Sequence, residues 1–260
     1  MVFENRYVAY IDILAFQSML SDAKKGIEYI ENLLSVFKEK ILENEKDKLS
    51  GFDLFEMSMF SDSMVLSVPV KNKLGDNLIS LIEKIKFIQY DLFNLGAFIR
   101  GGICKGQLYH KKEICFGAAY ILAYSIGEKY ARYPRIIIDK SIIEQAANNE
   151  YNLAYVGDGK CEYSKNQLCN CWKSIVKPDM DGWYYVDYIG QKEDFDVGCE
   201  YEETLLNIKN IIETNLNNVE YKNKMHIKEK YYWLTNKFNM IIKGTKLEYM
   251  KINIDNIIIS

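Results

Sequence analysis

Two aspartates stand where apolar segments give way to turn residues. Asp12 lies near the end of the apolar run at residues 6–13, and Asp62 lies between Ser61 and Ser63. Magnesium prefers hard oxygen ligands and usually takes one or two carboxylates, leaving positions for water and phosphate. Two such ions can activate a hydroxyl and neutralise charge on a phosphoryl group. A single aspartate at such a position more often caps a turn. The sequence therefore predicts a two-metal site only if the two side chains meet.

The elements around both aspartates favour such a meeting. Residues 6–13 combine β-branched and aromatic side chains, a pattern typical of a buried strand, and Asp12 stands at the end of that strand. Residues 52–60 and 64–68 are predicted to form a hairpin that carries Asp62 at its tip. Both carboxylates can therefore reach the same edge of one sheet.

Helical periodicity separates these strands. Apolar residues spaced by three and four predict one helix from about residue 27 to Glu45 and another that ends before Gly96. Residues 97–109 then form a strand that we expect to be interrupted by glycines at 101, 102 and 106. A helix over 117–130, a strand over 134–139, a short helix over 141–147 and a strand over 183–189 follow.

This order of elements predicts an α+β sandwich in residues 1–190, with a mainly antiparallel sheet and helices on one face. Residues 200–219 and 222–242 are helical stretches joined at Asn217-Asn218. We expect residues 191–260 to be a helical extension packed on the first domain.

Composition excludes several classes of function. The 260 residues are 48% hydrophobic, which suffices for a sizeable core, yet no apolar run reaches the roughly 20 residues of a membrane span. The N-terminus has no signal-peptide pattern, so we expect a cytoplasmic protein. A net charge of -3 argues against a nucleic-acid partner. The six cysteines include no Cys-x-x-Cys pair, which argues against structural zinc and favours reduced thiols.

Three segments together resemble the core motifs of class III nucleotidyl cyclases, in order and in spacing. They are Tyr10-Ile-Asp-Ile-Leu-Ala-Phe16, Met59-Phe-Ser-Asp-Ser-Met64 and Arg100-Gly-Gly-Ile-Cys-Lys-Gly106, with Phe116-Gly117 opening the next helix. The resemblance covers about residues 5–140. Each motif is short, and their combination is the more specific signal. It implies a class III cyclase-like, ferredoxin-type sandwich.

The resemblance also implies roles for individual residues. Asp12 and Asp62 match the aspartates that bind two Mn²⁺ or Mg²⁺ ions, and Ile13 matches the residue whose carbonyl completes one metal shell. Arg100 matches a phosphate-binding arginine, for which a planar guanidinium is well suited, although such an arginine is more often a surface residue. The backbone N–H groups that would meet the triphosphate match Leu14, Ala15, Phe16 and Gln17.

Two departures from the family pattern concern substrate recognition and catalysis. Ser58 and Ile114 stand where purine cyclases carry the pair that reads adenine or guanine, and they cannot make the same hydrogen bonds. Ile121 and Ser125 replace the usual transition-state asparagine and arginine, a loss that weakens charge stabilisation. The cations that could substitute, or could be plain surface charges, are Lys129, Arg132 and Arg135.

The chain further resembles the bacterial pyrimidine cyclases of Pycsar antiphage systems. The shared segments are residues 60–63, 100–103, 117–124, 133–136 and the C-terminal stretch 230–239. Members of that branch make cyclic UMP or cyclic CMP, which activates a separate effector. Tyr124, with Ser58, is a candidate contact for the base. An aromatic stripe such as Tyr120, Tyr124, Tyr130 and Tyr133 is also common in a protein core.

The resemblance implies attack of the ribose 3′-oxygen on the α-phosphorus of UTP or CTP, with release of pyrophosphate, in a homodimer that builds each site from two subunits. Three alternatives stay open. They are a purine cyclase with atypical base recognition, a nucleotide-binding regulatory module without catalysis, and another palm-like phosphoryl-transfer enzyme, which the Arg100-Gly-Gly segment fits poorly.

Overall fold

The computed structural model describes residues 2–21, 26–49, 55–72, 75–147, 175–189, 198–218 and 224–254. The chain forms two compact units, Met1–Asp187 and Tyr188–Ser260. No helix among the described residues is long and apolar enough to cross a membrane.

The first unit contains ten strands and five helices among its described residues. They are β1 (Glu4–Ile13), α1 (Phe16–Ser21), α2 (Ile27–Leu49), β2 (Glu56–Phe60), β3 (Ser63–Pro69), β4 (Lys71–Asn72), β5 (Gly75–Asp76), α3 (Leu78–Asn94), β6 (Ile99–Lys111), β7 (Ile114–Phe116), α4 (Ala118–Tyr130), β8 (Ile136–Ile138), α5 (Lys140–Ala147), β9 (Val176–Pro178) and β10 (Tyr184–Val186).

Eight of these strands form one sheet in the order β2-β3-β1-β6-β8-β10-β9, with β7 paired to β6, while β4 and β5 form a separate ribbon. All pairs in the main sheet are antiparallel except β6 with β8. The segment from β1 to β6 has the β-α-β-β-α-β connectivity of ferredoxin-like folds. The predicted α+β architecture with a mainly antiparallel sheet is therefore confirmed.

Strand β1 is buried on both faces, which explains its continuous apolar sequence. Tyr7, Ala9 and Ile11 belong to the core cluster that also contains apolar residues of α2 and α3. The alternate side chains point to the other face of the sheet, where the Tyr10 ring contacts Tyr124 of α4. Helices α2 and α3 thus cover one face, and α4 covers part of the second, which the sequence did not predict.

The predicted interruption of β6 at its glycines is wrong, because the strand runs unbroken from Ile99 to Lys111. These glycines permit close approach of neighbouring elements. A Cβ atom on Gly101 would lie 2.0 Å from the carbonyl oxygen of Tyr10 in β1, and one on Gly102 would lie 2.7 Å from the carbonyl oxygen of Ala123 in α4. The sequence also did not predict β7.

The second unit contains α6 (Gly198–Leu216), α7 (Met225–Ile242) and a 3₁₀ turn (Glu248–Met250). The two predicted C-terminal helices are confirmed, and they pack against each other. The Asn239 side chain on α7 donates to the carbonyl of Ile252 and accepts from its N–H, both at 2.9 Å. Residues 52–54 of the strand predicted over 52–60 lie outside the described residues.

Substitution of Gly101 by alanine should destabilise the first unit far more than the same change at Gly106. A Cβ on Gly101 overlaps backbone atoms of β1, whereas one on Gly106 meets the Ala119 methyl group at 3.3 Å. We expect a loss of about 3 kcal/mol or more for Gly101→Ala and within about 1 kcal/mol for Gly106→Ala. Urea unfolding followed by circular dichroism measures both, and equal losses would contradict this account of the strand contact.

Candidate active site

The structure brings Asp12 and Asp62 to one edge of the sheet. Asp12 pairs with Ser63 on β3 and with Arg100 on β6. Asp62 lies in the turn before β3, and its carbonyl accepts a hydrogen bond from the Ile13 N–H at 3.2 Å. The end of β1, the hairpin tip and the start of β6 are therefore adjacent, as the hairpin pattern predicted.

Strand β1 ends in a tight connection to α1. Ala15 has a left-handed φ of 63°, and its carbonyl accepts the Met19 N–H at 3.0 Å in the first turn of the helix. Ala15 and Phe16 thus open α1, where the first N–H groups have no acceptor within the helix. Leu14 differs, because its N–H donates to the Phe98 carbonyl at 2.8 Å. This bond corrects the prediction that the Leu14 N–H meets the triphosphate.

Arg100 contacts the Asp12 carboxylate directly. Its Nε and Nη2 atoms each donate to Asp12 Oδ2 at 3.2 Å, and Nη2 also forms an ion pair with Glu128 of α4. The predicted phosphate-binding guanidinium is therefore at the site, bridging two carboxylates. Sequence reasoning missed Glu128. The available signal was its place four residues after Tyr124, which puts both side chains on one side of α4.

The Asp12 carboxyl sits in an environment that disfavours its charge. Its side chain is only 16% exposed. Burial raises the pKa of Asp12 to about 6, and the Asp62 carboxylate adds to the rise, while the guanidinium of Arg100 opposes it. A cation placed between the two aspartates would relieve this repulsion.

The donors present fit a magnesium or manganese site. Asp12 and Asp62 supply two carboxylates, and the Ile13 N–H joins the end of β1 to the turn that carries Asp62. One or two carboxylates suffice for these ions, with water and phosphate oxygens completing the octahedron. The described part of the chain contains no group of three or more His, Cys, Asp or Glu side chains that could hold a metal.

Ser58 lies on β2 and takes part in a buried polar chain instead of facing a ligand. Ser58 is only 3% exposed, and its hydroxyl lies 2.5 Å from the Lys112 carbonyl and 2.7 Å from His110 Nε2. His110 Nδ1 lies 2.7 Å from the Ser67 hydroxyl, which accepts from Arg6 Nε at 2.9 Å. This network joins the β6–β7 hairpin to β2 and β3, and it corrects the prediction of Ser58 as a base contact.

Tyr124 on α4 carries an exposed aromatic ring that contacts the strand of Asp12. It is 45% exposed and lies edge-on to Tyr10, with ring centroids 5.1 Å apart. Tyr10 precedes Asp12 by two positions on β1, so both side chains lie on the same face of the sheet. Burial, followed by the charge of Asp12, raises the pKa of Tyr10. Tyr124 is therefore a surface that a planar ligand could reach.

The three cations that could replace the missing transition-state arginine differ in availability. Arg135 is fully buried and ion-paired with Asp179 and Asp181, so it is committed to holding the β9–β10 connection. This corrects its inclusion among the candidates. Lys129 and Arg132 lie exposed at and just after the end of α4.

No protein-family model and no curated protein matches the chain. Solved structures with a similar arrangement include the adenylyl cyclase CyaB from P. aeruginosa, at 13% identity and a TM-score of 0.46 over 72% of this chain and 95% of that one. Another is the guanylyl cyclase Cya2, at 11% identity and 0.42 over 71% and 92%. The monomeric guanylyl cyclase domain of the RhoGC fusion protein from the aquatic fungus Blastocladiella emersonii gives 14% and 0.38 over 71% and 95%. Sequence identities and TM-scores this low assign neither a family nor an activity to this chain.

The buried Asp12 should make the metal-free protein lose stability as pH rises. Its pKa is about 6 in the folded protein against an ordinary 3.8. The folded state thus binds this proton more tightly than the unfolded state does. The stability that proton binding contributes is complete below about pH 4 and is lost as pH rises through about 6. Between these limits, with EDTA present, the wild type should lose about 1–3 kcal/mol relative to Asp12→Asn. Urea unfolding at several pH values measures the difference, and a constant difference would contradict the assignment.

Proposed function

We propose that the protein is a nucleotidyl cyclase that converts UTP or CTP to the 3′,5′-cyclic nucleotide and pyrophosphate. The convergence of Asp12 and Asp62 beside Arg100 supports this proposal most directly. Two carboxylates with a guanidinium at their side form a place where divalent cations and a triphosphate can be held together.

In the proposed mechanism, Asp12 and Asp62, together with the Ile13 carbonyl, would hold two Mn²⁺ or Mg²⁺ ions. When bound there, such ions would supply positive charge that lowers the pKa of the ribose 3′-hydroxyl and offsets charge on the phosphates. The 3′-oxygen gives its proton to solvent water and bonds to the α-phosphorus, while the bond from that phosphorus to the bridging oxygen breaks and pyrophosphate leaves. Arg100, once released from Asp12, donates to phosphate oxygens. The opening N–H groups of α1, at Ala15 and Phe16, add donors for the triphosphate.

A pyrimidine substrate is supported by the residues that stand where purine cyclases read the base. Ser58 is bonded inside the protein, and Ile114 is an exposed apolar residue of β7, so neither supplies the paired hydrogen bonds that a purine edge requires. Tyr124 offers an exposed ring on which a base can stack. An adenylate or guanylate cyclase with atypical recognition is the alternative within the same chemistry.

A second candidate is a nucleotide-binding module without catalysis. Arg135 is committed to Asp179 and Asp181, and Ile121 presents an apolar side chain where a transition-state donor would be needed. Such a protein would bind a triphosphate and metal but release no pyrophosphate.

We also propose that two copies of the chain pair through the outer side of α4. Ile121 is 66% exposed and Leu122 42%, so the helix presents an apolar surface beside the site. A partner copy covering this surface would add groups to the active site. The antiphage role and the separate effector are supported by the Pycsar resemblance alone.

Incubation with ATP, GTP, CTP and UTP plus Mn²⁺ tests the activity, with products identified by mass spectrometry. We expect cyclic UMP or cyclic CMP and an equal amount of pyrophosphate. Asp62→Asn should lower turnover at least about 100-fold, because it removes stabilisation of charge that develops during the reaction. Asp91→Asn is the matched control, since Asp91 forms a surface ion pair with Lys40 on α2.

Each outcome separates the candidates. Cyclic AMP or cyclic GMP as the main product would favour the atypical purine cyclase. Binding of Mn²⁺ and nucleotide without pyrophosphate release would favour the regulatory module. Full activity of Asp62→Asn would reject the metal site.

Ile121→Asp should weaken self-association by about tenfold or more, because it places a charge in an apolar contact that excludes water. Sedimentation velocity over a range of concentrations measures the dissociation constant. Met180→Asp is the control, since Met180 is 95% exposed in the β9–β10 turn. Unchanged association of Ile121→Asp would contradict pairing through α4.

A further inference from the structure

The Arg100 guanidinium is shared between two carboxylates that belong to different elements. Its Nε and Nη2 atoms donate to Asp12 Oδ2 on β1, and Nη2 is also ion-paired with Glu128 on α4. The Arg100 side chain is 23% exposed, and that of Glu128 is 35% exposed. The guanidinium therefore keeps a second anionic partner, Glu128, if the Asp12 carboxylate binds another cation.

The positions of Arg100 and Glu128 are set by contact between two glycines. Gly101 follows Arg100, and Gly127 precedes Glu128. A Cβ on Gly127 would lie 3.2 Å from the Gly101 Cα, so the two backbones are packed together at this point. Ala123 and Ile126 are buried on the same side of α4. This backbone contact fixes the distance between Glu128 and Arg100, as a positioning role requires.

A divalent cation and Arg100 would compete for the negative charge of the same Asp12 carboxylate. The guanidinium donates twice to Asp12 Oδ2, so it takes up one of the two carboxylate oxygens and part of the negative charge that would hold a metal. If Arg100 had only Asp12 as a partner, metal binding would leave a partly buried guanidinium without an anion, and this would weaken the metal. Glu128 removes that penalty, because it keeps one ion pair intact while Asp12 changes partner.

We infer that Glu128 is a positioning residue: it retains the Arg100 guanidinium at the sheet edge when Asp12 binds a divalent cation. This inference rests on the metal site of the proposed function. It assigns Glu128 neither a metal contact nor a substrate contact. Its effect passes through Arg100, which makes the dependence measurable as a coupling between the two side chains.

The test is direct binding of Mn²⁺ to the full chain without nucleotide, followed by the electron paramagnetic resonance signal of free Mn²⁺. Glu128→Gln should raise the dissociation constant about fivefold to tenfold, within the range that contacting charges show. Glu128→Asp, which keeps the charge, should restore part of the affinity. The matched control is Glu144→Gln, which makes the same change on an exposed residue of α5 and should alter affinity less than about twofold.

A double-mutant cycle separates positioning from the general loss of a negative charge. In an Arg100→Gln background, Glu128→Gln should change Mn²⁺ affinity less than about twofold. The urea midpoint of each variant shows whether the fold is intact, so a structural defect would appear there and not in the coupling.

Three results would overturn the inference. They are unchanged or tighter Mn²⁺ binding by Glu128→Gln, an equal loss in both backgrounds, and a loss that follows the urea midpoint. Asp12→Asn distinguishes these failures from failure of the proposed function. If the wild type binds no Mn²⁺, or Asp12→Asn binds it equally well, the metal site is rejected and the inference with it. If Asp12→Asn loses binding while Glu128→Gln does not, the inference alone fails.

Discussion

Close backbone contact at Gly101 determines how the site is assembled. With no side chain there, β6 lies against the Tyr10 carbonyl of β1 on one side and against Gly127 of α4 on the other. The adjacent residues are Asp12, Arg100 and Glu128, and their ion pairs depend on these short backbone separations. A larger residue at this point would push apart the three elements that carry the charges.

The charges at this edge are arranged around a carboxylate that is costly to ionise. Burial and Asp62 both raise the pKa of Asp12, and Arg100 partly offsets them. A folded protein keeps such an arrangement stable when a cation is available, whether a guanidinium or a metal ion. The proposed reaction uses this property, because the phosphates of the triphosphate are anions with which Arg100 can pair when Arg100 leaves Asp12.

Local patterns predicted much of the architecture. The apolar run of β1, the hairpin around Asp62 and the helical stripes of α2 and α3 each depend on neighbouring residues, so their sequence periods suffice. The glycine-rich β6 was predicted less well, because a glycine that would weaken an isolated strand is required here by elements distant in sequence. Placement of α4 on the second face also depends on that contact.

The sequence by itself placed Asp12 at a strand end and Asp62 at a hairpin tip, and the antiparallel pairing of β1 with β3 brings the two to one edge. Only the tertiary structure decided what each polar group contacts. Arg100 bridges Asp12 and Glu128, Ser58 is bonded to His110, and the Leu14 N–H donates to Phe98. Hydrogen bonds and ion pairs act over a few ångströms, and such distances between residues far apart in the chain are set by packing.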